Sequence, residues 1–217
     1  MKRIFAWMTD TAACWYYRIH LPLTTLPADR YQVAWGAPGP DIHDWDIVIG
    51  QRIAGDMPGW LDLCADPDLH CVYDIDDDIL DVDPANTVPH SIYAPVRAGT
   101  VRNIAAADLV TCATPRLAEK LRVINPNVVV LPNCIPSLLL ISPEDLAVRD
   151  DTGRVTVGWG GSMFHAQDWA ATGMADILGQ LHRLLPGRVE LHTVGANYLG
   201  PRTPARHTGW GTVDAYH

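Results

Sequence analysis

The stretch Val155-Thr156-Val157-Gly158-Trp159-Gly160-Gly161-Ser162-Met163-Phe164-His165 decides the fold. A β-branched apolar run feeds a glycine cluster, and a helical pattern over Ala166–Leu185 follows at once. In an α/β sheet this order sets bare backbone N–H groups and a helix N-terminus at the carboxyl edge of a strand. Phosphate oxygens bind well there, because unpaired donors and the positive end of the helix dipole converge. The stretch comes late, after an α/β series that already reads as complete, so the chain reads as two such units.

Working outward, apolar β-rich runs recur near Arg3–Met8, Tyr31–Trp35, Asp46–Ile49, His70–Tyr73, Leu109–Cys112 and Val128–Leu131. Met57–Cys64, Ser91–Ala106 and Pro115–Ile124 between them have helical composition or spacing. Alternating strands and helices with apolar strands predict a parallel sheet covered on both faces. Thr114-Pro115 reads as a capped helix start, and Asn125-Pro126 closes that helix. The pattern changes after Pro136, and the polar Arg149-Asp150-Asp151-Thr152-Gly153 completes a plausible boundary. The expected organisation is an α/β domain over 1–136, a linker over 137–154, and a second α/β series over 155–217. That series adds strands at Val155–Gly158, Val189–Val194 and near His207–Gly209. It is well short of the ~100 residues a doubly wound domain needs to close its core, so a truncated second domain is expected. Self-association through the incomplete domain follows from that expectation.

Composition excludes several classes. The 217 residues are 48% hydrophobic, ordinary for a soluble globular chain, with a formal net charge of −9. Basic residues are scattered arginines, which argues against a general nucleic-acid or anionic-membrane surface. No run is long and apolar enough to span a bilayer. Met1-Lys2-Arg3 gives the chain a charged start, but the apolar run behind it is short and Thr9-Asp10 interrupts it; a first strand is the better reading than a signal peptide. The five cysteines are odd in number and form no Cys-x-x-Cys pair, so buried free thiols in a reducing cytoplasm are expected and no zinc site is.

Three segments together resemble the GT-B glycosyltransferases, family-4-like members in particular. The first is Ala13-Cys14-Trp15-Tyr16-Tyr17-Arg18-Ile19-His20-Leu21-Pro22. The second runs from Ala107-Asp108-Leu109-Val110-Thr111-Cys112-Ala113-Thr114 through Leu117–Leu121 to Val129-Val130-Leu131-Pro132-Asn133-Cys134-Ile135. The third is Val157–Ser162 with His165 and Asp168. The resemblance implies two Rossmann-like domains, a nucleotide-sugar donor bound by the second and an acceptor bound by the first. It implies no cofactor beyond the nucleotide-sugar, which is a substrate, and no metal. The paired glutamates that hold the donor in that family have no counterpart before His217. A sugar-nucleotide epimerase of the same two-domain shape, or a non-catalytic binding module, are the competing readings.

The residues that could carry chemistry follow from these segments. Gly158, Gly160, Gly161 and Ser162 are donor-phosphate candidates, against the plain alternative of a tight turn. His165 is a donor contact or an exposed capping residue; Asp168 can equally complement the helix dipole. Arg18 sits in a segment that lines the cleft in GT-B enzymes, where an arginine reaches donor phosphate or an anionic acceptor; the alternative is a surface arginine packed on its aromatic neighbours. Tyr17 beside it is an acceptor contact. Asp74-Ile75-Asp76-Asp77-Asp78 crowds carboxylates at a strand end. Asp76 and Asp77 are the catalytic candidates, and Asp74 and Asp78 are candidates for acceptor hydroxyls. A metal site ranks below these and below a solvated loop. Asn133 is expected to fix a turn.

Overall fold

The computed structural model describes residues 1–57, 59–135, 137, 140, 153–200 and 203–209. The chain divides into two compact units, one of Met1–Val82 with Ile92–Leu140, the other of Asp83–Ser91 with Ile141–His217. Most of the linker expected over 137–154 lies outside the described residues.

The first unit is built on six strands, β1 (Lys2–Trp7), β2 (Tyr31–Gly36), β3 (Ile47–Gln51), β4 (His70–Ile75), β5 (Leu109–Cys112) and β6 (Val128–Val130). They form one all-parallel sheet in the order β2-β1-β3-β4-β5-β6. It is an α/β fold of the general Rossmann-like kind. β1 shows why both faces must be covered. Phe5 and Trp7 enter one core with Trp45, Val48, Trp60, Tyr73 and Val110, while Ile4 and Ala6 enter another with Trp15, Ile19 and Leu23. Period-two alternation sends neighbouring side chains to opposite faces, so a strand apolar throughout is buried twice.

One face is closed by the segment that follows β1. It is helical throughout: α1 (Ala13–Trp15), a π-helical turn (Tyr16–His20) and α2 (Leu21–Thr24). Trp15, Ile19 and Leu23, four residues apart, give it a single apolar stripe. The other face carries α3 (Trp60–Cys64), α5 (Arg97–Ala106) and α6 (Pro115–Leu121); α4 (Thr87–Tyr93), most of which falls in the second unit, precedes α5 in the chain. The helix expected over Ser91–Ala106 is therefore two. The Thr114 cap is as expected: its hydroxyl accepts the Leu117 N–H at 3.2 Å, with Pro115 at the first helical position. α5 approaches the loop after β3 so closely that a Cβ on Gly99 would lie 2.4 Å from the Gly55 carbonyl carbon. That loop is further pinned by buried Asn103, which donates to the Ile53 and Gly55 carbonyls at 2.9 and 2.7 Å.

In the second unit β7 (Val155–Gly161), β8 (Val189–Gly195) and β9 (Arg206–Thr208) form a parallel sheet in that order. The helix expected over Ala166–Leu185 is broken into α7 (Ala166–Thr172) and α8 (Met174–Leu184) by Gly173, whose φ of 63° is the left-handed conformation that ends helices. Trp169, Val189, Leu191 and Leu199 form the core of this unit. No helix among the described residues is long and apolar enough to cross a membrane.

Candidate functional site

Parallel strands deliver their C-terminal residues to one edge, and open α/β sheets bind ligands there, beside the point where strand order reverses. In the first unit that point lies between β1 and β3. The residues arriving around it are Asp10 and Cys14 after β1, Gln51 and Arg52 at the end of β3, and Asp74, Asp76 and Asp77 from β4 onward.

Arg18 reaches this edge but is fully committed. Its Nε donates to Asp74 Oδ2 at 2.8 Å and its Nη2 to Asp74 Oδ1 at 2.5 Å, a two-pronged pair whose side chains are 4% and 2% exposed. Nη1 donates to the Leu131 carbonyl at 2.9 Å and to Asn133 Oδ1 at 2.7 Å. Burial works against the Arg18 charge, yet the hydrogen bonds and charge of Asp74 hold its pKa above the ordinary value. Asp74 accepts two more hydrogen bonds, from Thr111 Oγ1 at 2.7 Å and Gln51 Nε2 at 3.3 Å. Arg18 therefore ties three elements together and does not present its fork to a phosphate, and Asp74 is too enclosed to meet an acceptor. Asn133 serves this clamp. Tyr17 lies on the π-helical turn, edge-on to Tyr16 with ring centroids 5.3 Å apart.

Arg52, which the sequence reading did not single out, is the cation that faces the aspartates. Its guanidinium lies 3.3 Å from Asp10, 3.9 Å from Asp76 and 3.6 Å from Asp77. It is the one non-glycine residue with positive φ among those described, at 46°. Such backbone costs about 1–3 kcal/mol and gathers at functional sites. Its own N–H holds it there, donating to the Asp74 carbonyl at 2.8 Å. Burial opposes the Arg52 charge too, and the acidic groups nearby, Asp76 and Asp10 among them, keep its pKa raised. Cys14 responds in the opposite sense. Burial and then Asp76 push its thiol up to about 12, which makes it a poor nucleophile at neutral pH. Asp76 is 6% exposed in its side chain, and its Oδ1 accepts no hydrogen bond.

Beside this cluster Asp76, Asp77 and Asp78 line a cleft of about 300 Å³ with Thr114, Arg116 and Lys120. Lys120 pairs with Asp78, and at 3.2 Å with Asp81, and these partners raise its pKa. The structure thus gathers Asp76, Asp77 and Asp78, and separates Asp74 from them. The signal that could have found Arg52 is its position directly after an apolar strand.

The glycine stretch is corrected. β7 runs through to Gly161, with Gly158 opposite His192, Gly160 opposite Val194 and Gly161 opposite Gly195, so these glycines are strand and not loop. Gly160 is exposed and extended, and does not take the positive φ that would demand glycine. Gly161 is glycine for space: a Cβ there would lie 2.6 Å from Trp159 Cζ2 and 3.0 Å from His165 Cδ2, whereas one on Gly160 would come no nearer than 3.8 Å, at Val194 Cβ. Gly161→Ala is expected to destabilise the second unit by about 1–3 kcal/mol through overpacking. Gly160→Ala is expected to stay within about 0.5 kcal/mol. Urea unfolding of the two variants checks the contrast; equal effects would show that the Trp159–His165 contact is not what excludes a side chain. Ser162 caps the following turn, its Oγ accepting the Phe164 N–H at 3.3 Å. His165 is exposed, with Nδ1 3.2 Å from Asp168 Oδ2 and its ring edge-on to Trp159. Of the donor candidates, Gly160, Gly161, Ser162 and His165 are together at the end of β7, and Arg18 belongs to the other unit.

Compared with known protein families and with curated proteins, the chain matches no family model and no curated protein.

Proposed function

We propose that this chain acts as a glycosyltransferase of the GT-B kind, moving a sugar from a nucleotide-diphosphate sugar to an acceptor hydroxyl. The observation that carries the reading is the cleft of about 300 Å³ at the carboxyl edge of the six-stranded sheet. Its carboxylates accept hydrogen bonds and Lys120 and Arg116 donate them, which suits a polyhydroxyl ligand whose groups do both. A phosphate suits it poorly, because Asp76, Asp77 and Asp78 would repel the anion. The cleft is therefore the acceptor side. Asp76 takes the hydrogen bond of the reacting hydroxyl, Asp77 supports positive charge developing on the sugar, and Asp78 with Lys120 orients the acceptor.

The donor diphosphate belongs, in this reading, to the end of β7 with Ser162 and His165. The exposed, unstrained backbone at Gly160 makes a clean test. A valine fits a strand conformation without forcing φ, so Gly160→Val is expected to fold. If the diphosphate lies over this residue, the isopropyl group occupies its space, and affinity for UDP and GDP by calorimetric titration falls at least about tenfold, a change of ~1.4 kcal/mol. Unchanged affinity in folded Gly160→Val would remove this segment from the donor site.

A further inference from the structure

The amino edge of the second sheet holds an open cavity of about 380 Å³. It arises from a mismatch between strands. β8 pairs β7 from its first residue, Val189, but its ladder to β9 begins only at His192. Pro204, two residues before β9, has no N–H with which to extend that ladder. Among the described residues, Val189–Leu191 is therefore flanked by a strand on one side only, and the cavity opens on the other. Val189 and Leu191 give it apolar surface, and Arg154, His182, Glu190 and Arg206 supply its polar side chains. We propose that this cavity binds a phosphate monoester of a small polyol, at a site separate from the acceptor cleft and from the donor end of β7.

Two observations carry the proposal. Two guanidiniums share one cavity with a single carboxylate, in a chain whose formal net charge is −9. The Arg154 side chain makes no ion pair among the described residues, and Arg206 commits only Nη2, 2.9 Å from His192 Nδ1. Arg206 Nε and Nη1 remain for a ligand. The second observation is independent of charge: His182 Nδ1 is buried and has no hydrogen-bond partner. Buried polar nitrogens are ordinarily paired, and this one belongs to a side chain that lines the cavity. With its proton on Nδ1 the imidazole donates beside the two arginines. Three such donors suit the three oxygens of a phosphoryl group better than the two of a carboxylate. Glu190 repels a bare phosphate but accepts hydrogen bonds from hydroxyls, so it selects an ester that carries them. The carboxyl end of α8, near His182, disfavours an anion, though less than one charge-assisted hydrogen bond favours it. The site goes beyond the proposed glycosyl transfer. Six residues of extended strand, roughly 20 Å, separate Val155 from the donor end at Gly161.

Calorimetric titration of the 217-residue chain with glycerol 3-phosphate, inorganic phosphate and glycerol tests this. One equivalent of the ester should bind, at least about tenfold more tightly than phosphate, and glycerol should not bind. Arg154→Met and Arg206→Met should each weaken the ester at least about tenfold, the loss of one charge-assisted contact. Glu190→Gln should narrow the preference for ester over phosphate. Arg188→Met removes an exposed cation that does not line the cavity and should leave affinity unchanged. Saturating UDP should not displace the ester. Failure of the unmodified chain to bind the ester overturns the proposal, as does equal affinity for phosphate. Displacement by UDP would assign the binding to the donor site, and an equal loss in Arg188→Met would reduce it to diffuse attraction; either overturns the proposal. Should Arg206→Met fail to fold, Arg154→Met decides, since that side chain lies on the exposed rim. The readout is binding alone, so its failure leaves glycosyl transfer untouched, and failure of transfer leaves this site untouched.

Discussion

Arg18→Ala is expected to lower the stability of the first unit by about 3–5 kcal/mol, the cost of leaving a buried carboxylate without its cation. Asp74 is 2% exposed and faces Arg18 through both oxygens. Removing the guanidinium also releases the Leu131 carbonyl and Asn133, so the clamp is lost at three points. Arg18→Lys should not rescue it, because an ammonium cannot match both carboxylate oxygens and the carbonyl beyond them. The double variant Arg18→Met with Asp74→Asn should recover most of the loss, since no charge then remains buried. Guanidinium unfolding of the four proteins measures this. A loss under 1 kcal/mol in Arg18→Ala would mean that the pair is solvated and that Arg18 is free to bind a ligand after all.

Asp76→Asn is expected to reduce glycosyl transfer by about 10²–10⁴-fold, the usual contribution of a positioned base or hydrogen-bond acceptor. The fold should survive, because asparagine keeps the shape of the side chain and Arg52 retains Asp10 and Asp77 as partners. Asp78→Asn should act differently: Asp78 pairs with Lys120 at the rim of the cleft, so acceptor KM should rise while kcat is held. Steady-state kinetics with donor saturated separates the two. Equal effects on kcat from both variants would place the chemistry elsewhere in the cleft.

The strands were legible where one rule governs them. β1 and β3 feed apolar side chains into both cores because both faces are covered, and an uninterrupted apolar run signals that directly. Thr114-Pro115 was legible because capping is local. The helical turn carrying Tyr17 and Arg18 was not, since Trp15, Ile19 and Leu23 stand among other aromatics that blur the four-residue period. The glycines of β7 were misread for a related reason. Glycine signals freedom of the backbone, and nothing local says whether that freedom is used for a turn or, as at Gly161, to make room for Trp159 and His165. Asp76, Asp77 and Asp78 were visible as a run, but their separation from Asp74 was not, because the partner that buries Asp74 lies 56 residues away. Arg52 was missed altogether. Its partners are distant in sequence, and its positive φ leaves no mark on composition.

The central claim is that this chain moves sugar from a nucleotide-diphosphate donor to a hydroxyl, and release of nucleoside diphosphate tests it most directly. The 217-residue chain would be incubated with UDP-glucose, UDP-galactose and GDP-mannose in turn, each with and without a mixture of monosaccharides, polyols and sugar-bearing lipids. The account predicts that one donor gives nucleoside diphosphate only when acceptor is present, with a glycosylated product of matching amount, and that Asp76→Asn slows both by about 10²–10⁴-fold. Release of no nucleotide with any pairing would contradict it, as would a donor sugar that changes configuration while its diphosphate stays attached.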